Sequence, residues 1–308
     1  MIDTIVATAL PVDERLLIRK NVISYGSSKK RICVVTGTHG DELEGQYVCY
    51  ELARRLKEQL GLLNGTVEIY PSLNPLGMDS MIRGVPGFDL DMNRIFPGGP
   101  DGTMAESAAH AIVEDLRGAD LVIDIHSSNV FLREVPQARI NVHTADTLVP
   151  FAKMLNLDFV WVHEAATVLE STLAHSLNSV DTPCVVVEMG VGMRVHKGMG
   201  NRLVTGILNL MNHEGMWAEA VEDHMIAKPI LSCGPQVEFV NAAASGIFLP
   251  ENESATIVEK GQEIGVIVSS LTGDVLHKVV APVYGYLFTI RAFPIVYEGS
   301  LIARIHKL

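Results

Sequence analysis

Short apolar runs alternate with longer segments of helical spacing through the first two-thirds of the chain. Ile32-Cys33-Val34-Val35, Val67-Glu68-Ile69-Tyr70, Leu121-Val122-Ile123-Asp124-Ile125 and Cys184-Val185-Val186-Val187 read as strands. Between them, Leu43 to Leu60 places Leu43, Tyr47, Tyr50, Leu56 and Leu60 near helical spacing, and Met104 to Arg117 forms a second helical stretch ended by Gly118. Residues 149–155, 169–177 and 202–211 are further helix candidates. Strands alternating with helices predict an α/β sandwich. The pattern changes near Ala227. From Lys228 onward, β-branched runs punctuated by glycine replace it, such as Gly246-Ile247-Phe248-Leu249 and Gly265-Val266-Ile267-Val268. They predict a smaller all-β domain over 227–308, after an α/β domain over 1–226.

Polar residues at the ends of the apolar runs carry the candidate chemistry. Gly37-Thr38-His39-Gly40-Asp41-Glu42 follows the run at Ile32. If a helix starts at about Asp41, His39 lies on a strand-end loop and Glu42 in the first helical turn, and both converge on one point. Imidazole nitrogen and carboxylate oxygen suit zinc, and two histidines with one glutamate leave an open fourth position for catalysis. Alone, the pair reads more simply as a loop histidine beside a solvated glutamate. His126 ends another strand, at the carboxyl side where ligands collect in open α/β sheets, and is the candidate third ligand. Asp124 shares its face, two residues back. It is either a buried polar residue with a partner or a group that orients the ligand. A Gly/Pro-rich stretch holds Asn74-Pro75, Arg83 and Asp89-Leu90-Asp91-Met92-Asn93-Arg94. Forked guanidinium donors there could bind a carboxylate or a developing oxyanion, with surface ion pairing as the alternative. Glu188 closes the run Val185-Val186-Val187, where burying a charge is costly unless it is paired.

Taken in order, Gly-Thr-His-Gly-Asp-Glu, Asp-Met-Asn-Arg, Asp-Ile-His-Ser and Val-Glu-Met-Gly resemble the succinylglutamate desuccinylase/aspartoacylase family of the zinc carboxypeptidase-like clan, from about Thr36 to Gly190. The resemblance implies a zinc-carboxypeptidase-like α/β/α sandwich with a mixed sheet. It implies one Zn2+ per chain held by His39, Glu42 and His126, with Glu188 as general base and proton shuttle. Asn93 and Arg94 would grip the free carboxylate of the substrate, and Arg83 would polarise the scissile carbonyl. The family's usual Asp-Leu-Asn-Arg is Asp91-Met92-Asn93-Arg94 here. Aspartoacylase carries an arginine about one strand-length before the glutamate, for the second carboxylate of acetylaspartate. Ser176-Leu177-Asn178-Ser179-Val180-Asp181 offers none, which points away from N-acetylaspartate and succinylglutamate and towards an N-acetylated diamino acid. His175, just before the Glu188 strand, is a candidate for lining the substrate pocket.

The expected reaction is metal-assisted amide hydrolysis. Zinc lowers the pKa of water towards about 7, and Glu188 takes the proton and passes it to the departing amine. The leading reading is a deacylase of a small N-acyl amino acid. The alternative is a zinc carboxypeptidase acting on peptide C-termini. A third reading is a non-enzymatic binding protein with a degenerate site.

Composition narrows the setting. The 308 residues carry 24 basic and 36 acidic side chains, a formal charge of −12, which argues against nucleic acid or an anionic membrane surface as partner. Cys33, Cys49, Cys184 and Cys233 are scattered without a Cys-x-x-Cys pair. With no basic, apolar leader at Met1 to Val6, they point to a reducing, cytoplasmic setting. In the C-terminal part, Val258-Glu259-Lys260-Gly261-Gln262-Glu263-Ile264-Gly265 followed by Ala281-Pro282-Val283-Tyr284-Gly285 is similar to a biotinyl/lipoyl-type barrel. Lys278 lies too close to Ala281 to match a carrier lysine. The β domain is therefore expected to cap the cleft or to mediate homo-oligomer formation.

Overall fold

The computed structural model describes residues 1–88, 90–164 and 170–308. Asp89 and Leu169, the first residue of the helix expected over 169–177, lie outside them. The elements in chain order are β1 (Ile2–Ala9), β2 (Arg15–Tyr25), β3 (Arg31–Thr36), α1 (Glu44–Glu58), β4 (Gly65–Tyr70), α2 (Pro75–Ser80), α3 (Met104–Leu116), β5 (Leu121–His126), β6 (Leu132–Asn141), α4 (Ala145–Met154), β7 (Phe159–His163), α5 (Leu173–Asn178), β8 (Cys184–Gly190) and α6 (Lys197–His213). Strands follow: β9 (Ile230–Cys233), β10 (Val237–Asn241), β11 (Gly246–Pro250), β12 (Thr256–Val258), β13 (Glu263–Val268), β14 (Val275–Val280), β15 (Gly285–Arg291), β16 (Ile295–Val296) and β17 (Leu301–Lys307).

A large mixed sheet runs in the order β1-β2-β4-β3-β5-β8-β6-β15-β17-β10. Its centre, β4-β3-β5-β8, is parallel. β3, β5 and β8 are apolar on both faces because helices cover both. Val34, Ile123 and Val185 pack with Leu52 of α1, Leu148 of α4 and Ile207 of α6. On the other face, Val35, Val122 and Cys184 meet Ile112 of α3 and Leu177 of α5. Such two-sided burial produces near-continuous apolar strands. α3 starts at a capping box, where Thr103 and Glu106 each accept the other's backbone N–H.

β6 divides the sheet. Its first residues pair with β15 (Glu134↔Thr289), and after a register shift between Glu134 and Gln137 it pairs with β7 (Gln137↔Phe159). β9 then joins β7. Pairing therefore crosses the sequence-expected boundary at 226/227 twice. Strands β14-β13-β11-β16 form a second sheet, whose Phe248, Ile264 and Ile267 share a core with Leu287 of β15 and Ile302 and Ile305 of β17.

An ionic knot fastens the far edge. Lys20 of β2 reaches Asp115 of α3 at 2.9 Å and Glu68 of β4 at 3.3 Å, and the Tyr70 hydroxyl donates to Glu68 at 2.7 Å. Burial alone would lower the pKa of Lys20 and raise that of Glu68. Their partners outweigh it, so Lys20 titrates above its usual value and Glu68 below. Glu68 therefore adds stability above pH 4.5 that is lost as pH falls through its folded value. Lys20 adds stability below pH 10.5 that is lost as pH rises through its own. Glu68→Ala is expected to cost about 3–5 kcal/mol and to flatten the acid limb of a urea-denaturation pH profile. An unchanged acid limb would contradict this.

Candidate metal centre and active site

The parallel strands β3, β5 and β8 end side by side, and their last residues and the loops after them build the site. Thr36 Oγ1 donates to the Ile125 carbonyl at 2.9 Å, fixing the end of β3 against β5. His39 and Glu42 sit in the turn that follows, where the Glu42 N–H bonds the His39 carbonyl at 3.3 Å. Helix α1 starts only at Glu44, so Glu42 lies ahead of the helix rather than in its first turn. Its start is held from across the sheet, by the Ser127 hydroxyl accepting from the Glu44 N–H at 3.3 Å.

The turn depends on Gly40. A Cβ at this position would overlap the backbone of Gly77. Asn74 holds that facing segment, accepting from Gly77 N and donating to the Gly84 carbonyl, both at 3.0 Å. Gly40→Ala is expected to destabilise the fold by about 1–3 kcal/mol and to weaken metal uptake, because His39 is the preceding residue. Chemical denaturation with and without added zinc checks both effects.

Among the described residues, His39, Glu42 and His126 offer donor atoms that all lie within 4.8 Å of one another. All three are buried. His39 Nδ1 lies 2.8 Å from Glu42 Oε1 yet makes no hydrogen bond. Glu42 Oε2 faces His126 Nδ1 at 2.9 Å. The outer nitrogens are backed by carboxylates, His39 Nε2 by Asp91 at 2.9 Å and His126 Nε2 by Asp124 at 3.1 Å. Carboxylates behind imidazoles are the usual setting of metal-ligating histidines. Burial alone would lower both histidine pKa values, but Glu42 acting on His39, and Asp124 with Glu42 acting on His126, raise them. Burial would likewise raise Glu42, yet His126 and His39 hold it well below the usual range. The cluster thus favours positive charge at its centre, and its nitrogen and oxygen donors fit a divalent metal ion.

Glu188 stands level with His126 in the β5·β8 ladder. Its Oε2 accepts from Ser128 N at 2.6 Å and its Oε1 from Arg139 at 3.2 Å. Ser128 adopts φ +58°, a left-handed turn that aims its N–H at Glu188 and its carbonyl at Arg83, 3.3 Å away. Burial raises the pKa of Glu188, with Arg139 and His126 opposing. A raised carboxylate pKa suits a group that must both take and return a proton.

The remaining expected residues are spread more widely. Arg83 lies on the cluster, pairing with Glu42 at 2.9 Å and Asp91 at 3.3 Å. Asn93 is tied to α5, its Oδ1 accepting from Leu173 N at 2.9 Å. Arg94 is exposed and bonds back to the Asn93 carbonyl at 2.7 Å. His175 is exposed on α5. Sequence reasoning assigned no role to Asp91, which bridges His39 and Arg83. Burial would raise its pKa, but the His39 contact holds it well below the carboxylate range. Its position two residues before Asn93 was the available signal. Arg139 was also missed, because its strand carries Arg133, Glu134 and Gln137 in place of an apolar run.

The fold is a mixed α/β sheet covered by helices, with a buried cluster of two histidines and one glutamate at the ends of its parallel strands. Residues 28–214 match the succinylglutamate desuccinylase/aspartoacylase catalytic domain, and the chain belongs to that family. Over 107 residues it is 35% identical to the N-alpha-acetyl-L-2,4-diaminobutyric acid deacetylase of Halomonas elongata, a match spanning 34% of this chain and 31% of that protein. The chain thus aligns with about a third of that curated relative's length. The fold is shared with the product-bound ectoine utilization protein EutE (DoeB) of Ruegeria pomeroyi, with a TM-score of 0.81, 21% identity, and 98% of this chain and 93% of that one covered. It is also shared with a succinylglutamate desuccinylase/aspartoacylase of Rhodobacter sphaeroides, with a TM-score of 0.82, 23% identity, and 98% and 94% covered. Among the described residues no helix is long and apolar enough to cross a membrane.

Proposed function

We propose that the protein is a zinc-dependent hydrolase that cleaves the amide bond of a small N-acyl amino acid, with an N-acetylated diamino acid as the favoured substrate. The observation that carries this reading is the convergence of His39, Glu42 and His126 with Glu188 level with His126 on the next strand. When bound, zinc supplies a Lewis acid that acidifies water and polarises a carbonyl. His39, Glu42 and His126 would hold it. Glu188 takes the proton from the attacking water and delivers it to the leaving amine. Arg83, beside Glu42, supplies guanidinium donors to the developing oxyanion. Asn93 and Arg94 receive the substrate carboxylate. Among the described residues the Arg94 guanidinium bonds only within its own loop, to the Asn93 carbonyl, which leaves it able to reach the carboxylate, and His175 lines the approach. The free cysteines Cys33, Cys49 and Cys184 are buried and unpaired, in keeping with a reducing compartment. The C-terminal strands, proposed as a biotinyl/lipoyl-like domain over 227–308, expose Lys278, which is paired with Glu263 at 2.8 Å rather than set on a turn.

The 35% identity to a diaminobutyrate deacetylase supports the substrate class, as does the absence of arginine from 176–181. The test is a panel of N-acetyldiaminobutyrate, N-acetylaspartate, succinylglutamate and blocked dipeptides with the zinc-loaded protein. Faster cleavage of N-acetylaspartate would overturn the substrate class. Preference for the dipeptides would establish the carboxypeptidase alternative instead.

A further inference from the structure

Beside Glu188 lies a second charged assembly that the hydrolytic reading leaves unused. Glu134 of β6 is completely buried. Arg139, five residues along the same strand, donates from Nη2 to both Glu134 oxygens at 2.7 Å and extends Nη1 to Glu188 Oε1 at 3.2 Å. Glu134 also takes an ion pair from Arg304 of β17 and a hydrogen bond from Thr289 of β15 at 3.3 Å. Glu134, Thr289, Arg304 and Phe239 are successive cross-strand partners over β6, β15, β17 and β10. The Arg304 guanidinium lies over the neighbouring rings of Trp161 and Phe239, 5.6 and 5.8 Å from their centroids.

We infer that Arg139, Glu134 and Arg304 form a positioning relay that aims the Glu188 carboxylate, making the C-terminal strands a working part of the active site. This rests on Glu188 being the proton-transfer group proposed above. The bond lengths carry the argument. Arg139 is anchored by two short bonds to Glu134 and offers one longer bond to Glu188, so it is fixed on one side and presents a single donor on the other. A guanidinium has the rigid fork to do this, whereas a lysine amine does not. Glu134 is held in turn by Arg304, which packs over two neighbouring rings, and by the Thr289 hydroxyl. With Ser128 N–H on the other oxygen, Glu188 is held at both ends of its carboxylate. Its two-point grip fixes the plane in which it can accept a proton. Two guanidinium groups balance two carboxylates, so the assembly places no net charge beside the metal cluster.

The test uses zinc-loaded Glu134→Gln, Arg139→Lys, Arg139→Ala and Arg304→Lys, compared with wild type by kinetics on the best N-acyl amino acid, zinc stoichiometry and crystal structures. Loss of a partner that orients a catalytic group costs about 10–100-fold. We expect a fall of that size, about 10–100-fold, in kcat with KM little changed. Zinc content should be unchanged, activity of Arg139→Ala should partly return with added guanidinium ion, and Glu188 should be displaced from Ser128 N–H in the variant crystals. Unchanged kcat with Glu188 in place would overturn the relay. So would a parallel loss of zinc, KM and fold, which marks a structural role only. If wild type cleaves none of the N-acyl amino acids, the deacylase reading fails, and the relay stands or falls on whether Glu188 moves in the variant crystals.

Discussion

Replacing Glu188 by glutamine is expected to lower kcat by about 10²–10⁴-fold, with zinc binding intact and KM little changed. Glutamine has nearly the same shape, and its oxygen can still accept from Ser128 N–H or from Arg139, the two donors that hold the carboxylate now. What it cannot do is carry a proton from water to the leaving amine. The metal cluster is built from other residues, so zinc content measured on the purified variant should match wild type. Full turnover in a zinc-replete Glu188→Gln protein would remove Glu188 from the mechanism and leave the hydrolase reading without a proton carrier.

Glu42→Gln is expected to have the largest combined effect on metal binding and stability. Each Glu42 oxygen meets a donor, Oε1 from Arg83 at 2.9 Å and Oε2 from Ser127 N at 3.0 Å. An amide must turn its NH₂ towards one of them, leaving buried donors facing each other at a cost of about 1–3 kcal/mol. The lost ligand also removes the stabilisation that bound metal confers, about 2.7 kcal/mol when free zinc is at 100 times its dissociation constant. In a thermal melt, wild type should shift upward on adding zinc and back on adding a chelator, whereas Glu42→Gln should melt lower and respond weakly to either. Equal zinc-induced shifts in the two proteins would show that Glu42 is not a ligand.

The sequence made the centre of the fold and the members of the cluster legible for one physical reason. Strands covered by helices on both faces must be apolar throughout, so a histidine or glutamate closing such a run stands out. His126 and Glu188 are read this way, and the spacing of His39 and Glu42 behind Val35 adds the remaining pair. The flanks were harder to read. β2 alternates apolar and polar residues, with Lys20 at a buried position, and β6 interrupts its apolar residues with Arg133, Glu134, Gln137 and Arg139. Those charges are stable only because partners arrive from distant strands, such as Arg304 on Glu134, and no local pattern announces a partner 170 residues away. The C-terminal strands hold a further case. Their own periodicity is β throughout, while the pairing of Thr289 with Glu134 is a property of two segments 155 residues apart.

The fork in β6 bears on how the chain is made. Synthesis runs from the amino end, and early segments ordinarily begin to fold before later ones exist. Here β8 covers one edge of β6 at Glu134↔Gly190, but the other edge of its first half stays open until β15 is translated, and pairings this far apart in sequence are slow to form. A nascent chain stalled before β15 would present Arg133 and Glu134 on an unpaired strand edge, with the buried carboxylate lacking Arg304. Ribosome-bound intermediates of that length should therefore engage holdase chaperones, and hydrolytic competence should emerge late in translation.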